Sequence, residues 1–178
     1  KAGDAVSRAV NPDKQILELE ELVKRQDTIA NRTSLADAYV AQGSYQKALE
    51  LYGSCLTGPY AEDEELLLKK INALYLSGDF ESAKNAMAAF KEKYPLSNAS
   101  SVMLDLKLNG DWEKLSEIFY NTNNFNVGYE CAAHFCKNGS PDQAKKILSS
   151  MEENLKLYKY LKRTENYGWY KKTKKLFS

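Results

Sequence analysis

Ala36-Asp37-Ala38-Tyr39-Val40-Ala41-Gln42-Gly43-Ser44-Tyr45-Gln46-Lys47-Ala48-Leu49-Glu50-Leu51-Tyr52 reads as one helix, a turn built on a single glycine, and a second helix. The same plan recurs three times. Its anchors are Ile71–Leu74–Gly78–Phe80–Ala83–Met87, Met103–Leu106–Gly110–Trp112–Leu115–Phe119 and Ala132–Phe135–Gly139–Pro141–Ala144–Leu148. A compact residue follows the glycine by five positions in three units (43 to 48, 78 to 83, 139 to 144), and Leu115 fills that slot in the other. Self-similarity at a period of about 34 residues is the mark of stacked helical hairpins. A single hairpin cannot bury its own apolar face, and neighbours bury it together. The expected fold is therefore all-α: a right-handed superhelix, or α-solenoid, of about four hairpins.

The chain of 178 residues is 43% hydrophobic with four prolines, enough apolar content for a continuous core and too little proline for a disordered segment. No apolar run is long enough to span a bilayer, and no signal-peptide pattern opens the chain. Lys1 in place of methionine is expected of a fragment or processed form. Three cysteines (Cys55, Cys131, Cys136) are too few for a disulfide framework and favour a reducing compartment, so a cytoplasmic location is expected.

The net charge of +1 hides an asymmetry. Residues 1–97 carry 12 Lys/Arg against 15 Asp/Glu, and 98–154 carry 5 against 8. Residues 155–178 carry 8 against 1. The body is weakly acidic and the C-terminal segment is basic.

Local signals place the elements. Residues 1–10 read as a polar linker. Asn11-Pro12 is a helix start, and Ile16, Leu17, Leu19, Leu22 and Val23 give an amphipathic lid to about Gln26. The hairpins follow at about 29–62, 63–97, 98–124 and 125–154 within one domain, 11–178. Gly58-Pro59 closes the first, and Ser140 with Pro141 and Gln143 forms a capping box in the fourth. Ala36, Ala48, Ala83, Ala132 and Ala144 are expected where helices approach closely. Tyr39, Tyr45, Tyr52, Phe80, Trp112, Phe119 and Phe135 are expected to fill the space between hairpins. Leu155, Leu157, Tyr158, Tyr160 and Leu161 are expected to begin a C-terminal cap.

Tyr39-x3-Gly43-x-Tyr45-x2-Ala48-x3-Tyr52 resembles the tetratricopeptide repeat, as does Gly78-x-Phe80-x2-Ala83 with its Lys93-Tyr94-Pro95 ending. The third and fourth units depart, with Leu115 for alanine and Pro141 for the aromatic. Residues 31–64 are also similar to soluble portions of bacterial membrane-anchored repeat proteins. The resemblance implies a non-catalytic protein-interaction scaffold whose first helices line a groove. It carries over to Ser34, Asp37, Lys69, Asn72, Tyr75, Lys107, Tyr129, Glu130 and Ala133, with a protein or peptide partner expected there. A co-chaperone carboxylate clamp is not expected: only Lys69 and Asn72 match it, and Asp37 would repel a carboxylate.

The basic tail is the alternative site. Trp169, Tyr170, Lys171, Lys172, Lys174 and Lys175 interleave aromatics and cations, a pattern that suits an anionic membrane surface or stacked bases. The same residues suit a cap with its aromatics inward, its lysines in water and its loss leading to self-association. Nucleic acid is the less favoured partner.

Enzyme chemistry finds little support. His134 is the single histidine, and on a helix Cys136 points about 140° away from Cys131, so the three do not converge on one ion. No phosphate-loop, dinucleotide, zinc-protease or nucleophile-elbow motif occurs. No cofactor or metal is expected.

Overall fold

The computed structural model describes residues 11–96 and 98–178, which places the linker at 1–10 outside the described residues. Ten α-helices and no strand occur among the described residues. They are α1 Pro12–Arg25, α2 Ile29–Gln42, α3 Tyr45–Cys55, α4 Glu64–Ser77, α5 Phe80–Lys93, α6 Ala99–Leu108, α7 Trp112–Thr122, α8 Phe125–Lys137, α9 Pro141–Leu157 and α10 Glu165–Lys175. The protein is an all-α array of helical hairpins, of the α-solenoid class. Internal contacts group it into two compact units, 1–101 and 102–178.

The four hairpin turns share one backbone solution. Ser44, Asp79, Asp111 and Ser140 each donate a main-chain N–H to the carbonyl five residues back, on Tyr39, Leu74, Leu106 and Phe135, at 2.8–3.1 Å. This bond reaches over the last turn of the first helix and satisfies a carbonyl that the helix leaves orphaned. It requires a left-handed residue just before the donor. Gly43 and Gly78 supply it, both at φ 87°, where a Cβ would be strained. Asp79 and Asp111 then cap the second helix, accepting from the N–H of Ser82 and Lys114 at 3.2 Å. The expected capping box of the fourth hairpin does not form. Ser140 makes no side-chain cap bond, and Pro141 at the first helical position removes one of the donors a cap would satisfy.

In the first unit α1 lies on α2 as the expected lid. Asn11 caps it, accepting from Asp13 N–H, and Ile16 is buried while Leu19 and Val23 pack beside it. Ala36 and Ala48 are both 0% exposed within a cluster of Ile16, Leu35, Tyr39, Tyr52, Cys55 and Leu66. One expected filler departs: Phe80 is 53% exposed, resting against Tyr75 of its own hairpin at 5.6 Å between ring centres.

The second unit is built around Phe119, Phe125, Cys131, Ala132, Ala144 and Met151, each 0% exposed. At Gly128, inside α8, side chains of both α7 and α9 press against the backbone. A Cβ there would stand 2.7 Å from the Phe119 ring and 2.8 Å from the Met151 methyl. Gly→Ala in a helix interior ordinarily gains up to about 1 kcal/mol. Here the fixed Phe119 ring reverses the sign, and Gly128→Ala is expected to lower stability by about 1–2 kcal/mol through overpacking. A denaturant titration showing a higher midpoint would refute that close approach.

The C-terminal segment makes the cap in two pieces. After α9 a short 3₁₀ turn, Lys159–Arg163, leads to α10, which packs on α8 and α9. Thr173 is fully buried, and Tyr167, Trp169, Tyr170, Leu176 and Phe177 pack against the cluster. Lys171, Lys172, Lys174 and Lys175 face water. Leu155 and Leu161 close the end of the core as expected. Leu157, Tyr158 and Tyr160 do not; they are exposed. Leu157 lies two residues past Leu155 and so about 200° around the helix, away from the core.

Candidate functional site

The first helices of consecutive hairpins touch through charged side chains. On α2, Asp37 accepts from Tyr52 Oη at 2.5 Å and from Lys69 Nζ of α4 at 2.6 Å. Glu65, one turn before Lys69, adds a second carboxylate at 3.7 Å. Tyr52 is 2% exposed, and burial together with the Asp37 bond drives its phenol pKa far above the ordinary value. Asp37 is thus held from two sides: by a core tyrosine of its own hairpin and by a cation of the next.

The second unit has an ion pair between first helices as well, with the signs exchanged and, among the described residues, no tyrosine bonded to the carboxylate. Lys107 on α6 meets Glu130 on α8 at 2.6 Å, both largely shielded from water. Beside Glu130, Tyr129 lies against Trp169 of α10, ring centres 5.5 Å apart, and Lys172 sits over the Trp169 ring at 4.4 Å. Asn166 of α10 accepts from the N–H of Phe125 at the start of α8, at 3.4 Å. Helix α10 therefore occupies the part of α8 that carries Tyr129.

Among the residues read from the sequence as a groove, Asp37 with Lys69 and Lys107 with Glu130 come together as ion pairs. Tyr129 joins the cap. Tyr75 is half-buried and engaged with Phe80. Ser34 is exposed, its hydroxyl turned back to the Ala30 carbonyl at 3.0 Å, and Asn72 and Ala133 are half-buried. The share of Tyr52 in the Asp37 network was missed, because a tyrosine at that repeat position reads as core filler. Its periodicity reports only that the ring is buried, and the hydroxyl's partner depends on how α2 and α3 cross.

The Cys131, His134 and Cys136 trio has its own geometry. The imidazole stacks flat on Trp112, ring centres 4.3 Å apart and planes 10° from parallel, with Nδ1 3.1 Å from the Asn138 amide. Burial, helped by Lys137, lowers the His134 pKa below its usual range. Burial likewise pushes the Cys131 thiol up to about 11, which disfavours the thiolate a nucleophile or metal ligand needs. The hollow of about 530 Å³ beside His134 is lined by Asn109, Gly110, Asp111, Trp112, Glu113 and Phe135. Neither thiol nor hydroxyl is among these. No group of three or more His, Cys, Asp or Glu side chains suited to a metal ion occurs among the described residues.

The described helices include none long and apolar enough to cross a membrane. A family model for the PPR repeat matches residues 32–56 and 133–154, about a quarter of the chain. The first stretch covers most of α2 and all of α3, and the second covers the end of α8 and most of α9. Both fall on hairpins identified from their glycines, which makes this a helical-repeat protein of the kind that serves as a binding scaffold for protein or nucleic acid. A comparison with curated proteins finds no match.

Proposed function

We propose that this chain is a non-catalytic scaffold that holds an extended peptide or a partner helix against the first helices of its hairpins. The observation that carries this reading is the state of charge on those helices. Lys69 is neutralised by Asp37, and Lys107 by Glu130. A polyphosphate chain draws its affinity from unpaired Lys and Arg side chains. A polypeptide offers neutral hydrogen-bonding groups and apolar side chains, which suit the paired Asp37 and Lys69 with half-buried Asn72 and Tyr75 in the first unit, and the paired Lys107 and Glu130 with half-buried Ala133 in the second. With the ion pairs already made inside the protein, binding is expected in the micromolar range and only moderately sensitive to salt.

The tetratricopeptide type of repeat is supported by the Tyr39–Gly43–Tyr45–Ala48–Tyr52 spacing, which the structure turns into two closely packed helices. Free thiols at Cys55, Cys131 and Cys136 support a reducing compartment such as the cytoplasm. RNA is the second reading, favoured by the PPR repeat match, since such repeats typically bind RNA.

A pull-down from the source cell with Lys69→Ala/Asn72→Ala/Tyr75→Ala against the unaltered chain separates them. The expected result is a protein partner retained after nuclease treatment and lost, by about tenfold or more, in the triple variant. Equal recovery by both proteins would remove these helices from the binding face. Recovery of RNA that depends on the same three residues would establish the second reading.

A further inference from the structure

The turn between α9 and α10 gathers exposed large apolar side chains within four residues. Leu157 and Tyr160, at 74% and 64%, are the two most exposed large apolar side chains among the described residues, and Tyr158 between them is 47% exposed. Lys156, Lys159, Lys162 and Arg163 lie in the same stretch, all exposed, with no carboxylate between 156 and 164. None of these four cations forms an ion pair among the described residues, in contrast to Lys69 and Lys107. The stretch is not a loose tail. Leu155 and Leu161 are buried on either side of it, and the 3₁₀ turn is closed by bonds from Leu161 N–H to the Tyr158 carbonyl (3.0 Å) and from Thr164 N–H to the Leu161 carbonyl (3.1 Å).

Three apolar or amphipathic side chains held outward among four unpaired cations fit one surface chemistry. Tyrosine rings settle at the headgroup level of a bilayer, an exposed leucine gains by entering the acyl boundary, and lysines and arginines are drawn to anionic headgroups. Single-stranded nucleic acid fits less well. Tyr158 and Tyr160 meet edge to face, 63° apart at 6.3 Å, so they offer no parallel platform for successive bases, and leucine offers none. The lysines of α10 are the weaker candidates, because Lys171 and Lys172 already lie over the rings of Tyr167 and Trp169.

We propose that the α9–α10 corner, through Leu157, Tyr158, Tyr160, Lys156, Lys159, Lys162 and Arg163, is a docking point for the surface of an anionic bilayer. It is independent of the binding face on the first helices.

Co-sedimentation with phosphatidylcholine vesicles, with and without phosphatidylserine, tests it. The unaltered chain is expected to pellet only with the anionic vesicles. Lys156→Gln/Lys159→Gln/Lys162→Gln/Arg163→Gln should weaken partitioning on the order of several hundredfold, at roughly fivefold per cation. Leu157→Ser/Tyr160→Ser should weaken it about tenfold by removing the inserted groups. Lys171→Gln/Lys172→Gln/Lys174→Gln/Lys175→Gln should keep most of it. All these positions except Leu157 and Tyr160 are exposed charges, and those two are the most exposed apolar residues, so folding is not at risk. The proposal is overturned if the unaltered chain stays in the supernatant, or if the α10 variant rather than the corner variants loses binding. Indifference of partitioning to the Leu157/Tyr160 change would overturn it too. So would a single-stranded RNA oligonucleotide that binds through the corner and displaces the vesicles.

Discussion

Ala48→Asp is expected to lower stability by about 4 kcal/mol, a large part of what a domain of this size possesses. Ala48 is 0% exposed on α3, packed among Leu35, Ala36, Tyr39 and Tyr52. The described hydrogen-bonding groups near it are committed: the Tyr52 hydroxyl donates to Asp37, and the Tyr39 hydroxyl to Glu20. A carboxylate at this position would be buried among apolar side chains without a partner. It would also force apart two helices that meet at an alanine. Ala48→Ser, smaller and able to bond back to its own helix, should cost much less. Thermal melts followed by far-UV circular dichroism measure the difference, and an Ala48→Asp melting temperature equal to the parent's would show that the α2–α3 packing is wrong.

Deleting residues 165–178 is the second large effect. It removes the Trp169, Tyr170, Leu176 and Phe177 side chains that cover the second unit's core, together with the buried Thr173, whose hydroxyl donates to the Trp169 carbonyl at 2.8 Å. The newly open surface on α8 and α9 is apolar. At about 25 cal/mol per Å² of apolar area, losing several half-buried aromatics amounts to about 3 kcal/mol or more. An end repeat without its cap also exposes surface that another copy can cover. The truncated chain should therefore melt earlier and elute as a larger, concentration-dependent species in size exclusion with light scattering. An unchanged melting temperature with a monomeric profile would mean that α10 is not part of the core.

Much of the fold was legible because its signals are local. Gly43, Gly78, Gly110 and Gly139 end four first helices by the same 6→1 backbone bond, and Asp79 and Asp111 start second helices by bonding N–H groups three residues ahead. These interactions close within six residues, so residue type and spacing suffice to predict them. The alanines were legible for a related reason: their periodicity marks the side of the helix that must approach another backbone.

The candidate binding face was legible only as a set of helices. That Asp37, Lys69, Lys107 and Glu130 lie on first helices follows from the repeat register. That they neutralise one another follows from distances between residues 32 and 23 positions apart, to a tolerance of about an ångström, which no single-helix pattern encodes. The same limit explains Phe80, Gly128 and the α9–α10 corner. Hydrophobic type predicted burial for Phe80, Leu157 and Tyr160, yet no neighbouring element among the described residues covers any of them fully. Gly128 carries no periodic signal, and only the arrival of Phe119 and Met151 from two other helices gives its missing Cβ a purpose. Sequence alone thus determined the helical hairpins, their ends and their apolar faces, since backbone bonds and helical period act over a few residues. Tertiary structure decided which charges remain unpaired and which apolar groups remain in water, since both depend on helices that meet only after the chain has folded.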